Sequence, residues 1–514
     1  MQTTNQPPLT TWKGHPKGLF YLFFAELWER FSFYGMKALL LLYMTQHLFY
    51  SDQNAFGILA AYMSLVYITP LCGGILADKV LGYRKSILLG GVFMALGHFL
   101  LFFEMPFFFY SSLGLIIVGN GFFKPNISSF VGALYNQSPQ QRDAGFTIFY
   151  LGINLGAALA PLVCAWVAGL YGWHYGFMLA GLGMLLGLGC FQQGIQKEVF
   201  GTQGLLPNPK HYYQTKQGLH QGQWVILGSV TAIPLIATII YFHQYEHYII
   251  LLASLFMVIY VVYILLQVSP TERRRLIAVI YFTILSTAFS ALFEQTSSSL
   301  VLFADRNINL VILTAAQTNS INASFIVLLA LPFSWLWGYL NKINRNPSAP
   351  YKLSIGLILL GIAALIFGRS AVSADAFAQT SITYLIVGYF ILTVGELCLS
   401  PIGLSKVTEL SPTRYVSFVM GVWFSSYFYG HFFAGKIAQL TVSNGQENIL
   451  AQHFGYFIEF LTELTPSSVA VKGVAFEQLY AYVSVYASFG LITVLVGLLA
   501  FLLAPFVTKL IQSE

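Results

Sequence analysis

Charged residues interrupt an apolar segment near the N-terminus. The stretch AELWERFSFYG, residues 25–35, carries Glu26, Glu29 and Arg30, and Lys37 follows two turns later. On a helix, a spacing of three to four residues aligns Glu26, Arg30, Phe33 or Tyr34, and Lys37 along one stripe. Each charge at the centre of a bilayer costs about 2.5–3.5 kcal/mol, so this stripe must face protein or water. We interpret the stripe as a functional site. The structural alternative is a salt-bridge lock between helices.

Three further ionisable residues lie alone in apolar segments. Lys124, in GNGFFKPNISSF, needs an acidic partner if it is to keep its charge, and Glu26 and Glu29 are the natural candidates. Glu294, in SALFEQTSSSL, and Glu396, in TVGELCLSPIGLS, have no cation within a helical turn in the sequence. Both are candidates for proton uptake, and a hydrogen-bonded structural acid is the alternative for each. Cations in one half and carboxylates in the other suit a short zwitterion better than a simple anion or a sugar.

The composition determines what kind of element must position these residues. The chain has 514 residues, of which 57% are hydrophobic and 9% charged, and its mean hydropathy is +0.69. Soluble proteins average about 25% charged residues, so the composition indicates a membrane protein. The four cysteines fall in apolar segments and read as small buried residues rather than disulfide partners. Most Lys and Arg residues occupy short loops, so the net charge of +6 does not indicate nucleic-acid binding.

Apolar runs long enough to cross a bilayer recur along the chain. They predict an all-α polytopic protein with fourteen helices in groups of six, two and six. The predicted domains are an N-terminal six-helix bundle (1–195), a cytoplasmic linker with an inserted hairpin (196–275) and a C-terminal six-helix bundle (276–514). The predicted spans lie near 18–48, 53–78, 84–108, 110–135, 143–170, 174–195, 223–243, 248–268, 276–303, 315–340, 352–369, 380–410, 415–441 and 478–507.

The distribution of Lys and Arg among the loops predicts the orientation. Nearly all of them fall in every second loop, and the opposite set contains only Arg306, Arg369 and Lys472. Both termini, the linker 196–222 and the ERRR run are therefore expected in the cytoplasm. The loops 244–247 and 443–475 are expected outside, and the second of them has a weak pattern for an interfacial amphipathic helix.

A motif between the second and third spans predicts a cytoplasmic gate. GGILADKVLGYRKSILLGG, residues 73–91, combines small residues, which let helices approach closely, with Asp78, Arg84 and Lys85. These charges can pair with a helix end or with charges on a neighbouring loop. The motif is fairly specific to the major facilitator superfamily.

Three passages together resemble one family. ELWERFSFYG resembles the ExxERFxYYG motif of the proton-dependent oligopeptide transporters, FYLGINLGA resembles their FYxxINxG motif, and GELCLSPIGLS resembles the helix that carries their acidic residue. The resemblance implies a major facilitator fold with twelve core helices and an inserted hairpin. Two departures are visible: Phe33 replaces the usual first tyrosine, and the second span has no histidine.

The resemblance also implies roles for individual residues. Arg30, Lys37 and Lys124 would hold a peptide carboxylate, and Glu396 with Asn322 would receive the amino terminus. Lys37 stands where arginine is common, so it keeps the charge but loses the bidentate geometry. The residues expected beside the peptide are Tyr34, Tyr67 and Asn154, with Trp423 as an aromatic candidate for a side-chain pocket, and those expected to couple protonation to gating are Glu26, Glu29, Arg30, Lys124 and Glu294.

The sequence therefore predicts a proton-coupled symporter that imports di- and tripeptides by alternating access. We expect a functional monomer in the lipid bilayer of a bacterial inner membrane, with the proton as coupling ion, no cofactor and no nucleic-acid partner. The alternative is a transporter of the same fold for nitrate, amino acids or peptide-like drugs, although Glu396 argues against nitrate. An ion channel or a membrane enzyme is more remote, since no DDxxD, HExxH or GxSxG motif occurs in the spans.

Overall fold

The structure, a computed structural model, describes residues 11–12, 14–135, 138–216, 218–412, 415–442 and 449–512. Long helices dominate the described chain, and we number these fourteen in chain order. They are α1 Lys17–Leu42, α2 Asp52–Leu76, α3 Gly82–Leu100, α4 Pro106–Leu134, α5 Arg142–Tyr171, α6 Trp173–Gln196, α7 Gln221–Tyr241, α8 Glu246–Gln267, α9 Pro270–Phe293, α10 Asn319–Lys342, α11 Ala349–Arg369, α12 Ile382–Leu410, α13 Val416–Gln439 and α14 Val474–Gln512.

The shorter elements lie between these helices. Further α-helices are Pro209–Tyr212, Ser299–Asn307, Ile449–Thr462 and Pro466–Lys472. Single 3₁₀ turns are Pro139–Gln141, His243–Tyr245, Glu294–Ser297, Ala316–Thr318 and Ser370–Ser373, and π-helical turns are Tyr43–His47 and Ala77–Leu81. Two-residue strands pair as Thr11–Trp12 with His15–Pro16, Thr215–Lys216 with Leu219–His220 (both antiparallel), and Ile308–Asn309 with Thr380–Ser381 (parallel).

Eleven segments of the described chain are long and apolar enough to span a bilayer, and one of them, Asp52–Leu100, contains both α2 and α3. Helix α1 is not among them although it has 26 residues. Every window of 18 residues in α1 includes Glu26, Glu29 and Arg30, which exceeds the two charges such a segment tolerates. The charged stripe thus distinguishes α1 from the other long helices.

The described residues fall into two compact units. The first comprises the chain up to Leu40 together with Leu65–Phe242, and the second comprises Leu41–Ser64 together with the chain from His243 onward. The predicted domain boundaries at 195 and 275 stay predictions.

The first inserted helix packs within the first unit. Its residues Val225, Ile233 and Ile236 contact a cluster of buried side chains on α3 and α4 that includes Phe93 and Phe122. These contacts bury apolar surface that α7 would otherwise expose, which fixes α7 against α3 and α4.

The second inserted helix packs within the second unit. The Ser254 hydroxyl on α8 lies 2.8 Å from the Tyr429 hydroxyl on α13, and the rings of Tyr260 and Phe418 meet edge to face with their centres 4.5 Å apart. The core of this unit is built from buried aliphatic and aromatic side chains of α9, α11, α12, α13 and α14. The two helices of the hairpin therefore belong to different units.

Two sequence predictions of helix extent can be compared with the structure. The span predicted at 276–303 lies within the candidate membrane span Pro270–Asn307, but its helix is interrupted: α9 ends at Phe293, a 3₁₀ turn covers Glu294–Ser297, and a new helix begins at Ser299. The helix predicted in the loop 443–475 is present as Ile449–Thr462, with Tyr456 exposed and Ile458 buried. Residues 443–448 of that loop lie outside the described residues.

Candidate functional site

The charged stripe of α1 is buried in the first unit. Glu26, Glu29 and Arg30 are exposed by only 2%, 0% and 2%, and Lys37 by 8%. The Arg30 guanidinium donates to both carboxylate oxygens of Glu29, with Nη2 2.6 Å from Oε1. Its Nε also lies 3.4 Å from Oε1 of Glu26, one turn earlier. One cation between two carboxylates compensates most of the cost of burying three charges together.

Glu26 retains one oxygen without a partner. Its Oε2 is buried and accepts no hydrogen bond from any residue that the structure describes. A buried carboxylate oxygen without a donor is costly when charged and becomes satisfied more easily when it carries a proton. The arrangement suits a group that changes its protonation state.

Aromatic rings surround the cations of the first unit. The Arg30 guanidinium carbon lies 5.3 Å from the ring centre of Phe33 and 5.9 Å from that of Tyr34, and Lys37 Nζ is also 5.9 Å from the Tyr34 ring. These distances allow cation–π attraction. Phe33 therefore presents a ring to Arg30, and it lacks the hydroxyl that the tyrosine of the family motif would carry.

Lys124 does not form the direct ion pair that the sequence suggested. Its Nζ lies 4.5 Å from the ring centre of Tyr67, a predicted site residue. Lys124 interacts electrostatically with Glu26 and Glu29, but among the described residues neither carboxylate is within ion-pairing distance of it. Arg30 instead pairs with both carboxylates, through hydrogen bonds to Glu29 and a 3.4 Å contact with Glu26. Pro125, beside Lys124, lies inside α4, which continues to Leu134.

Asn154 lies on α5, which packs closely against α1. Its Nδ2 donates to the Tyr150 carbonyl, 3.0 Å away on the preceding turn. Two residues later, a Cβ on Gly156 would lie 2.3 Å from the Leu27 carbonyl oxygen and 3.0 Å from Arg30 Cβ. Only glycine permits this approach, so the FYLGINLGA motif holds α5 directly against the charged turn of α1.

The acids of the second unit have different partners. Asn322 on α10 donates through Nδ2 to Glu396 Oε2 at 2.9 Å, and the same nitrogen lies 3.1 Å from Thr393 Oγ1. The structure therefore brings together the two residues that the sequence assigned to the peptide amine. Glu396 lies on α12 and also interacts electrostatically with Glu294.

Glu294 lies at the helix break after α9. The Ser297 hydroxyl donates to Glu294 Oε2 at 2.9 Å, and His431 Nδ1 on α13 lies 3.6 Å from the same oxygen. Sequence reasoning missed His431, although an ionisable residue in the apolar run YFYGHFFAG was the available signal.

Trp423 is buried in the second unit. It is only 1% exposed and belongs to the hydrophobic core of that unit, with Leu285 and Phe289 of α9. Its predicted place in a side-chain pocket stays a prediction.

The predicted gate residues contact the segment that follows α6. Arg84 donates through Nε to the Gln203 carbonyl at 2.8 Å and through Nη2 to the Gly201 carbonyl at 2.5 Å. Lys85 Nζ lies 3.8 Å from the ring centre of Tyr212, and the exposed Asp78 accepts a hydrogen bond from Tyr83. Within the part of the chain that the structure describes, Arg84 thus contacts carbonyl oxygens and Lys85 contacts an aromatic ring.

Comparisons with known proteins identify the family. A family model described as PTR2: POT family matches residues 84–453. The chain is 35% identical over 463 residues to the peptide transporter YePEPT of Yersinia enterocolitica subsp. palearctica serotype O:3 (strain YE-P4), covering 85% of this chain and 90% of the relative. It is 33% identical over 455 residues to the di-/tripeptide transporter of Lactococcus lactis subsp. lactis (strain IL1403), with coverages of 82% and 89%. The chain belongs to the POT family.

Solved structures of POT proteins resemble the whole chain. A crystal structure of a peptide transporter POT in complex with sulfate has a TM-score of 0.80 and 32% identity, with 98% of each chain covered. A POT family transporter in complex with a thioalcohol conjugated peptide has a TM-score of 0.79 and 28% identity, with coverages of 98% and 99%. These likenesses confirm the predicted all-helical major facilitator fold.

Proposed function

We propose that this POT protein is a symporter that imports di- and tripeptides together with protons by alternating access. The observation that carries the proposal is the division of charge between the units. The first unit buries Arg30 and Lys37 on α1 and holds Lys124 on α4, while the second unit carries Glu294 and Glu396. A short peptide has a carboxylate and an ammonium group, which match these two sets.

The peptide carboxylate is assigned to Lys37 and Lys124. Arg30 is engaged by Glu29 through two hydrogen bonds, so its charge is less available to a ligand than the sequence suggested. Tyr34 and Tyr67 lie against these lysines, where their rings can line the peptide backbone. The peptide amine is assigned to Glu396 and Asn322, and Asn154 is assigned to the peptide backbone.

Proton coupling is assigned to the carboxylates. Protonation of Glu26 or Glu29 weakens its attraction to Arg30 and changes the charge that Arg30 and Lys124 present to a peptide. Such a step drives transport only if proton and peptide favour the same state of the transporter, since equal binding to both states shifts no equilibrium. Glu294 is the corresponding group in the second unit.

The wider setting follows from the same proposal. The protein lies in a bacterial inner membrane with both termini in the cytoplasm, works as a monomer in the lipid bilayer, and needs no cofactor besides the coupling proton. It transports its substrate without chemical change and is not an enzyme.

The test is transport by the purified protein in proteoliposomes. With an inwardly directed proton gradient, di- and tripeptides should accumulate and tetrapeptides should not. A protonophore should abolish accumulation, and counterflow exchange of labelled dipeptide should continue without a gradient. Accumulation of nitrate or free amino acids in place of peptides would reject the substrate assignment.

A further inference from the structure

A buried histidine faces the acid at the helix break of the second unit. His431 is 3% exposed, and its Nδ1 lies 3.6 Å from Glu294 Oε2. The Ser297 hydroxyl donates to the same oxygen at 2.9 Å. Glu294 is the first residue of the 3₁₀ turn after α9. Its carboxylate accepts a hydrogen bond from Ser297 of the same turn and lies near His431 of α13.

The other titratable groups around this pair are mainly acidic. From α12, Glu396 interacts with Glu294, and from α13 itself, Tyr427 interacts with both acids. Five residues after His431 on α13, the exposed Lys436 interacts with Glu246 of α8. Tyr429 of α13 meets Ser254 of α8. An imidazole beside Glu294, a carboxylate that also repels Glu396, is placed to offset negative charge at this position.

We propose that His431 is a positioning residue for proton coupling, which sets the pH at which Glu294 takes up its proton. This inference rests on the proposed function. At 3.6 Å the imidazolium attracts the Glu294 carboxylate, and the neutral imidazole does not. The charged form of Glu294 is therefore favoured while His431 holds a proton.

The proton balance of the pair is simple. His431 keeps its own proton during the cycle and acts on Glu294 only through its positive charge. The proton that enters from the outer solution forms one O–H bond at Glu294 Oε2, and that bond breaks when the proton leaves to the cytoplasm. His431 is therefore not consumed.

The experiment compares the pH dependence of proton-driven dipeptide uptake between wild type and His431→Asn. The asparagine amide can still donate to Glu294 but cannot titrate. We expect the midpoint of uptake to move to higher pH by about one unit, because Glu294 loses a cationic neighbour. Counterflow exchange should keep its KM for peptide. The matched control is His98→Asn, since His98 on α3 is also fully buried and, among the described residues, its ring nitrogens have no hydrogen-bond partner.

A double variant separates a specific effect from a structural one. In a Glu294→Gln background, where the pH profile is read from dipeptide counterflow because it needs no proton-driven uptake, His431→Asn should cause no further shift, since the two substitutions act on the same contact. An unchanged midpoint in His431→Asn, or an equal shift in both backgrounds, would overturn the inference. His431→Gln gives a second neutral amide if the asparagine variant folds poorly. Absence of proton-driven uptake in wild type would reject the proposed function itself, which keeps the two failures distinct.

Discussion

At the scale of single residues, Arg30 explains how α1 tolerates charges in an apolar environment. Its guanidinium binds both oxygens of the neighbouring Glu29 and lies 3.4 Å from Glu26. Removing one partner from a buried charge pair commonly costs about 3–5 kcal/mol, because the remaining charge is left uncompensated. Glu26, Glu29 and Arg30 therefore stabilise one another. Protonation of either carboxylate changes the electrostatic interactions of all three residues.

The first residue-scale prediction concerns Glu29→Gln. The neutral amide leaves Arg30 with Glu26 as its nearest carboxylate. We expect proton-driven accumulation of dipeptide to fall at least about tenfold, a loss of 1.4 kcal/mol or more, while counterflow exchange continues. Initial rates and plateau levels in proteoliposomes would measure both.

The control for this prediction is Glu463→Gln. Glu463 pairs with Arg369 through a 2.9 Å contact, but its side chain is 61% exposed. Exposed ion pairs contribute little, so this variant should accumulate peptide as wild type does. If Glu29→Gln also accumulates peptide normally, the group is a structural lock between helices rather than a coupling site.

The second residue-scale prediction concerns Glu396 and the peptide amine. Acetylating the amine of a dipeptide should weaken binding at least about tenfold, since a charge-assisted hydrogen bond contributes about 1.5–3 kcal/mol. Glu396→Gln should weaken the free dipeptide strongly and the acetylated one little, because both changes delete the same contact. Competition against a labelled dipeptide would provide the affinities. Equal losses for the two ligands would show that Glu396 does not bind the amine.

At the scale of elements, the contact of α5 with α1 positions the charged turn. A Cβ on Gly156 would lie 2.3 Å from the Leu27 carbonyl oxygen, whereas a Cβ on Gly169 of the same helix would meet no atom within 4 Å. The two glycines thus differ in packing although they share one helix.

The prediction at this scale compares Gly156→Ala with Gly169→Ala. Overpacking a tight contact typically costs about 1–3 kcal/mol, so Gly156→Ala should lower the melting temperature in detergent by about 1–3 °C. It should also reduce peptide uptake, because the contact positions Arg30. Gly169→Ala should melt at or above the wild-type temperature, because alanine favours helix. Equal melting temperatures for the two variants would mean that α5 does not approach α1 this closely.

At the scale of the whole molecule, the distribution of Lys and Arg predicts how the chain crosses the bilayer. Single cysteines at Lys210 and Arg274 should react only with reagents that reach the cytoplasmic side, and one at the exposed Val471 only from outside. The background needs all four native cysteines replaced, since Cys72 is exposed. Labelling of the Lys210→Cys variant from outside would contradict the predicted helix count.

Several features of this protein follow from the sequence alone. Hydropathy predicts fourteen helices because a bilayer demands long apolar runs with satisfied backbones, and the family motifs predict the major facilitator fold. The sequence also identifies candidate site residues, because a charged side chain in an apolar segment costs free energy and usually has a functional role. These residues are Glu26, Glu29, Arg30, Glu294 and Glu396.

The pairing of these residues was decided only by the tertiary structure. Spacing along a helix shows that Glu26 and Arg30 share a face, but not that Arg30 engages both acids while Lys124 rests on Tyr67. The sequence also did not predict that the helix breaks after Phe293, that His431 of α13 lies near Glu294, or that Trp423 is buried. Contacts between distant segments depend on how side chains pack in three dimensions, and a local pattern of residues carries no distance between helices.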